Sequence, residues 1–293
     1  MKIAIYGRNF SAVHQPEIQH LFNLIESFEV QAIIYEPFKV FMKETISFNQ
    51  NIASFNSYEE LMKQEVNYMI SIGGDGTLLN SITLVRNSGI PILGINTGRL
   101  GFLSSASKND LNQVFKDLLD QNFSIDERGL LRLETDNNLF GDVNYALNEL
   151  TIHKKESSTM MTIHAYIDGE YLNSYWADGL IISTPTGSTA YSLSCGGPLM
   201  MPDSENFIII PIATHNLNVR PIVVSDKNVI TLKVQGREEN YLAAMDSRTE
   251  VIDSSTILTI KKESFKINLI RLPNQDFLKT LRNKLMWGMD LRN

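Results

Sequence analysis

Across 293 residues there is a single cysteine, Cys195, which excludes an internal disulfide or a multi-cysteine metal centre and suits a reducing compartment. No uninterrupted apolar run approaches the roughly 18 residues of a membrane-spanning helix, and the chain runs straight into an apolar strand pattern without a signal-peptide signature. Cytoplasmic residence is the expectation. Positive charge is also scarce: a net charge of −7 argues against a general nucleic-acid or membrane-surface role, although a local basic pocket stays open. Neither a Walker A sequence nor Gly-x-Gly-x-x-Gly occurs, which removes the usual support for a P-loop enzyme or an ordinary dehydrogenase. The five histidines, His14, His20, His153, His164 and His215, are scattered, and no spacing of histidine, cysteine or carboxylate suggests a protein-held metal.

What is present is an ordinary globular composition, 43% apolar and 20% charged, at a length that suits two domains. Its most informative stretch is Gly73-Gly74-Asp75-Gly76-Thr77. It follows the apolar run 68–72 and precedes the helical pattern of Leu78, Leu79, Ile82 and Val85. Glycines let a backbone turn sharply and approach a bulky anion, and the first N–H groups of the next helix favour a phosphate. Gly73, Gly74, Gly76 and Thr77 are therefore candidate phosphate ligands. A carboxylate is normally repelled by phosphate, so Asp75 reads as a proton acceptor beside a phosphoryl group. The plainer reading is a tight turn with Asp75 as helix N-cap.

Organisation along the chain gives the fold class. Strand and helix alternate through the first hundred residues, with strands at 2–6, 32–35, 68–72 and 92–95, which implies a parallel sheet with ligands gathering at the strands' carboxyl ends. A helix is expected from Ser107, with Asp110 completing a capping box. From Leu130 to about Ile270 the pattern becomes β-rich, with nine runs ending in Phe265–Ile270 and an Asp168-Gly169 hairpin signal. A closing helix spans Gln275 to about Met289, its stripe of Phe277, Leu278, Leu281 and Leu285 calling for burial. The expected architecture is an α/β, Rossmann-like domain over 1–104 and 273–293, a β-rich, sandwich-like domain over 105–272, and a C-terminal helix returning to the first.

Two further features carry chemistry. Asp178 through Ser192, followed by Cys195-Gly196-Gly197-Pro198, is a strand entering a loop crowded with hydroxyls, small residues and one aromatic ring. Hydroxyls and exposed N–H groups suit ribose and phosphate, and Ala190 and Tyr191 leave room for a flat ring, although a hydrophilic turn shares that composition. Asn148-Glu149 interrupt an apolar strand; they grip sugar hydroxyls or, as composition favours for Glu149, occupy a solvated strand face.

These residues together resemble the NAD kinases, which transfer the γ-phosphoryl group of ATP to the 2′-hydroxyl on the adenosine ribose of NAD. The matches run in order: Gly73–Thr77, then Asn96-Thr97-Gly98-Arg99-Leu100-Gly101-Phe102-Leu103, Asn148-Glu149, Asp178 to Pro198, and His215-Asn216-Leu217-Asn218-Val219-Arg220-Pro221. They span nearly the whole chain. The glycine motif is shared with diacylglycerol and sphingosine kinases and, in a variant, with phosphofructokinases; the Asn-Glu pair and the Thr-Pro-Thr-Gly-Ser-Thr-Ala-Tyr loop are more specific. The resemblance implies Asp75 as the catalytic proton acceptor with Gly76 beside it, and Phe102 against the adenine. It implies Asn148 and Glu149 on the dinucleotide, Asp178 on its nicotinamide half, and Thr189, Ala190, Tyr191 and Ser194 along the pocket. Ala213 falls where the family brings in a residue from a neighbouring subunit, which implies a homo-oligomer, dimer or tetramer. One departure is Ala244-Met245-Asp246-Ser247-Arg248, where many members carry Asp-Gly-Gln; Asp246 stays among the candidate dinucleotide contacts.

The implied substrates are NAD and ATP, the latter with Mg²⁺ or another divalent cation, and the implied partners include neither nucleic acid nor membrane. A lipid kinase is the nearest enzymatic rival, but the hydroxyl-rich 183–194 loop suits an acyl chain poorly. A silent dinucleotide-binding regulator is the rival from another class, and it has little use for a carboxylate beside phosphate.

Overall fold

The computed structural model describes residues 1–98, 101–104, 106–107, 110–155, 160–237, 239–273 and 275–287. Arg99 and Leu100 of the motif at 96–103, and the expected helix end at Met289, lie outside them. The described chain forms two compact units, Met1–Glu127 with Ile267–Asn293, and Arg128–Lys266.

In the first unit the early alternation folds as β1 (Lys2–Gly7), α1 (Gln15–Ser27), β2 (Gln31–Tyr35), α2 (Glu36–Met42), β3 (Ala53–Phe55) and α3 (Tyr58–Met62). Then come β4 (Tyr68–Ile72), α4 (Asp75–Val85), β5 (Ile92–Asn96), β6 (Ala106–Ser107), α5 (Leu111–Leu119) and β7 (Ser124–Arg128). The strands lie in the order β3-β2-β1-β4-β5, and the pairs among them are parallel, as an apolar strand alternating with an amphipathic helix requires. The core beneath gathers Ile5, Ile34, Ile70 and Leu93 from the sheet and Leu21, Phe22 and Phe115 from the helices.

The second unit contains β8 (Leu131–Glu134), β9 (Tyr145–Ala146), β10 (Glu149–Lys154), β11 (Met161–Ile167), β12 (Glu170–Ala177) and β13 (Gly179–Ser183). A short helix α6 (Tyr191–Ser194) precedes β14 (Asn206–Ile212), β15 (Ile222–Ser225), β16 (Ile230–Gly236), β17 (Tyr241–Met245), β18 (Arg248–Ile252) and β19 (Ile257–Lys262). They make two six-stranded sheets, β15-β14-β13-β10-β17-β18 and β12-β11-β16-β19-β8-β9, joined by antiparallel pairs. One apolar cluster draws Leu150, Leu180 and Ile209 from the first and Ile163, Leu232 and Leu258 from the second, which makes the unit a sandwich. At the β11–β12 hairpin Asp168 and Gly169 both take positive φ, +51° and +85°, as a two-residue primed turn demands.

Several expectations are corrected here. The run at 265–270 joins the other sheet: it becomes β20 (Ile267–Arg271) and pairs in parallel with β5, Leu269 opposite Ile92. The compact units accordingly divide at 127/128 and 266/267, not at 104/105 and 272/273, because α5 and β7 also belong with the first sheet. The helix starts later than expected: Ser107 is in β6, and Asp110, the N-cap of α5, makes no side-chain capping bond. With 265–270 gone, the remaining eight expected runs become twelve strands among the described residues: 143–153 and 171–183 each divide in two, and β15 and β18 are added. The last helix, α7 (Phe277–Leu285), buries Leu281 but leaves Leu278 of the expected stripe 43% exposed. No helix among the described residues is long and apolar enough to cross a membrane.

Gly179, at the start of β13, tests this packing, because a Cβ there would stand 2.4 Å from the Ile152 carbonyl oxygen and 2.9 Å from Ile212 Cδ1. Gly179→Ala is expected to cost about 1–3 kcal/mol. Denaturant unfolding checks this, and an unchanged midpoint would contradict the close spacing of β10 and β13.

Candidate functional site

The glycine turn sits at the carboxyl end of β4, and α4 starts within it. Gly73 needs to be glycine for the fold, since its φ is +149° and a Cβ would stand 2.3 Å from Thr77 Oγ1. Gly74 and Gly76 do not: a Cβ on either meets nothing within 4 Å. Their bareness leaves open space in front of the turn.

Asp75 is the first residue of α4, and the N-cap is Gly74, which offers no side chain to the first-turn N–H groups. The plain capping role for Asp75 is thereby excluded. Its carboxylate turns the other way, towards the 101–104 segment that follows β5: Oδ2 accepts from Phe102 N–H at 2.7 Å, and Oδ1 from Leu103 N–H and the Ser104 hydroxyl, both at 3.3 Å. Gly101 makes that approach possible, because a Cβ would fall 1.8 Å from Asp75 Oδ1. Phe102 is thus fixed beside Asp75 by its backbone, with Lys284 Nζ of α7 5.8 Å from its ring centroid. A cavity of about 280 Å³ opens before the turn, with Arg8, Asn9, His14 and Thr97 among its walls. Sequence reading gave none of these four a role in the site. The signal available was their position directly after parallel strands.

In the second unit Asn148 and Glu149 are both buried, which overturns the solvated strand face that composition favours for Glu149. The cause is Asp246, in the two-residue turn between β17 and β18 at φ +52°. Its carboxylate accepts from the N–H groups of Leu147 (2.9 Å), Asn148 (2.8 Å) and Glu149 (3.3 Å), and its own N–H donates to the Glu149 carbonyl at 3.1 Å. That grip breaks the apolar run 143–153 into β9 and β10 and presents the Asn-Glu pair at the break. Asp246 thereby positions the Asn148-Glu149 pair. Arg248 pins the same loop through the carbonyls of Val143 and Tyr145. Burial pushes the Asp246 carboxyl upward against those N–H bonds, and lowers the Arg248 guanidinium. Glu149 is pushed up to about 8 by burial and then by the charge of Asp246, against the Tyr191 N–H that favours its ionised form.

The hydroxyl-rich loop divides into two sets. Ser183, Thr184, Thr186, Ser188 and Ser192 are buried, so they do not present hydroxyls to a sugar. Several tie the loop together: Thr184 Oγ1 bonds the Leu147 carbonyl and accepts Gly187 N–H, Ser188 Oγ accepts Met200 N–H at 3.0 Å, and Arg128 donates to Thr186 Oγ1. Thr189 and Ala190 are half-buried, and Tyr191 and Ser194 are exposed, so these four form the accessible face. The Tyr191 hydroxyl and the Cys195 thiol lie near each other, and burial raises the pKa of both. Asp178, between β12 and β13, pairs with Lys154 Nζ at 2.6 Å, a partner missed in the sequence. Ala213 lies exposed just past β14, at φ +46°, two residues before His215, whose N–H bonds the Trp176 carbonyl. The structure thus brings Gly73 to Thr77 together with Phe102 in one unit, and Asn148, Glu149, Asp246 and Tyr191 together in the other.

Comparison with known proteins gives the family. The ATP-NAD kinase N-terminal domain matches residues 32–123, and the ATP-NAD kinase C-terminal domain matches 147–272. An NAD kinase from Flavobacterium psychrophilum is 49% identical over 295 residues, covering 100% of both chains. A solved NAD kinase from Archaeoglobus fulgidus in complex with ATP aligns at TM-score 0.71 and 25% identity over 98% of this chain and 99% of its own. Yeast NADH kinase complexed with NADH shares the fold at TM-score 0.86, with 20% identity over 100% of this chain and 89% of its own.

The raised Glu149 pKa has a pH signature. Glu149 binds its proton more tightly folded than unfolded, so the stability from the neutral form is complete below about 4.5 and is lost as pH rises towards about 8. The loss is on the scale of about 1.4 kcal/mol per pH unit for a full proton. Glu149→Gln is expected to flatten that decline in unfolding experiments between pH 5 and 8. An equally steep decline in the variant would assign it to other groups.

Proposed function

The chain belongs to the ATP-NAD kinase family, and from that membership we propose how its residues divide the work of phosphorylating NAD with ATP. The acceptor is the 2′-hydroxyl of the adenosine ribose and the product is NADP. The observation that carries this reading is a carboxylate fixed beside a bare glycine turn, where a phosphoryl group and a hydroxyl can meet it.

In the transfer the 2′-oxygen forms a bond to Pγ, the bond from Pγ to the bridging oxygen of ADP breaks, and the hydroxyl proton passes to Asp75. Little of the rate comes from covalent chemistry; positioning and charge neutralisation dominate. Asp75 suits the role of base because its orientation is set by three donors while Oδ2 accepts from only one of them, leaving a lone pair for the ribose hydroxyl. Gly73, Gly74, Gly76 and Thr77 hold the phosphates of the metal–nucleotide substrate, whose Mg²⁺ or other divalent cation enters with ATP. Phe102 lies against the adenine. Asn148 and Glu149 hold ribose hydroxyls, Thr189, Ala190, Tyr191 and Ser194 line the dinucleotide, and Asp178 attends its nicotinamide half. The cytoplasm supplies both substrates.

The active species is a homo-oligomer assembled through the β-rich unit, with Ala213 to His215 offered to a neighbour's pocket. Support comes from apolar side chains left in solvent there, Leu217 at 87% and Trp176 at 46% exposure. Specific activity is expected to fall on dilution and NAD to oppose the fall; a monomer by light scattering with full activity would rule the assembly out.

Purified protein given NAD, ATP and Mg²⁺ and scored for NADP tests the reaction. Asp75→Asn keeps the hydrogen-bonding shape and removes the base, so turnover is expected to drop about 10²- to 10⁴-fold with NAD affinity nearly unchanged. Turnover close to wild type would sink the assignment of Asp75.

A further inference from the structure

We propose that Arg8, with His14 beside it, holds the polyphosphate chain of the phosphoryl donor against the glycine turn. The inference rests on the kinase reading and adds to it residues that no motif marks. β1 and β4 are neighbours in register, with Gly7 opposite Ile72, so the residue after one strand, Arg8, stands beside the residue after the other, Gly73. Both edge the cavity of about 280 Å³, as does His14 from the single turn Ala12–His14.

Three observations specify the ligand. The cavity wall carries a guanidinium and an imidazole and no carboxylate, so its charge favours an anion. Arg8 makes no ion pair among the described residues; its guanidinium lies near the buried Tyr6 hydroxyl and keeps its donors for a ligand. His14 Nδ1 is buried without a hydrogen-bond partner. The cavity, about 280 Å³, stands at the lower end of the roughly 300–1,000 Å³ of small-ligand pockets and has room for a phosphate chain. Gly74, bare and uncapped, supplies backbone on the facing wall.

The test uses the full chain and the variants Arg8→Ala, Arg8→Lys and His14→Gln. Steady-state kinetics give the KM for MgATP and for NAD, calorimetry gives the affinity for inorganic tripolyphosphate, and thermal melting reports folding. Arg8→Ala is expected to weaken tripolyphosphate and raise the MgATP KM about 10- to 100-fold, the effect of deleting charge-assisted hydrogen bonds, with the NAD KM within about twofold. Arg8→Lys should recover part of the loss because it keeps the charge, and His14→Gln should show a smaller loss of the same kind. Should Arg8→Ala melt early, Arg8→Gln, which keeps most of the stem, carries the test. A folded Arg8→Ala protein with unchanged MgATP KM and tripolyphosphate affinity overturns the inference and leaves the kinase reading intact. Arg8-dependent tripolyphosphate binding in a wild-type protein that makes no NADP would remove the kinase reading and keep the anion site.

Discussion

The carboxylate of Asp75 reaches across to a turn 27 residues further along and is held there by backbone N–H groups at 2.7 and 3.3 Å. That interaction binds together the two carboxyl-end turns of β4 and β5, the central strands of the parallel sheet. It explains Gly101, whose missing Cβ is the space that Asp75 occupies, and it fixes the backbone that carries Phe102. Ser104, at the end of the same segment, packs its Cα where a Cβ on Gly94 would stand 2.9 Å away. A single acidic side chain thus sets the geometry of the turn in which it is proposed to act.

The β-rich unit uses the same device with a different division of labour. Asp246 spends both oxygens on the N–H groups of residues 147–149, and in doing so places two other polar residues at a break between strands. Positive φ at Asp246 is the local strain this entails, offset by the hydrogen bonds it gains. Buried hydroxyls complete the frame: Gly187 is glycine because a Cβ would stand 2.2 Å from the Asn148 carbonyl oxygen. The loop 183–192 is rich in serine and threonine largely because its backbone needs partners away from water. Only its rim is left for a ligand.

Much of this was legible in the sequence because it depends on local pattern. Apolar runs separated by helical periodicity forecast the parallel sheet that holds β1, β4 and β5, and Asp168-Gly169 forecast its hairpin. What failed depends on distant partners. The run at 265–270 reads as a strand but carries no mark of which sheet it enters, and pairing with β5 is decided by the returning chain. Glu149 reads as solvated because a carboxylate usually is; its burial is caused by residues almost a hundred positions away. Among the candidate site residues, Gly73 to Thr77 and the rim residues Ala190 and Tyr191 stood out by composition, and the family resemblance added Thr189 and Ser194. Arg8, His14, Lys154 and Arg248 did not, since an isolated cation carries no pattern until folding gives it neighbours.

The central claim is that Asp75 receives the proton of the adenosine 2′-hydroxyl. It is tested most directly by a crystal structure of the protein with NAD and a non-hydrolysable MgATP analogue, in which the distance from Asp75 to the ribose O2′ is measured. The account predicts an Asp75 carboxylate oxygen within about 2.6–3.2 Å of O2′, with O2′ facing the γ-phosphorus. A ribose whose O2′ faces away while Asp75 keeps only its bonds to Phe102, Leu103 and Ser104 would contradict it.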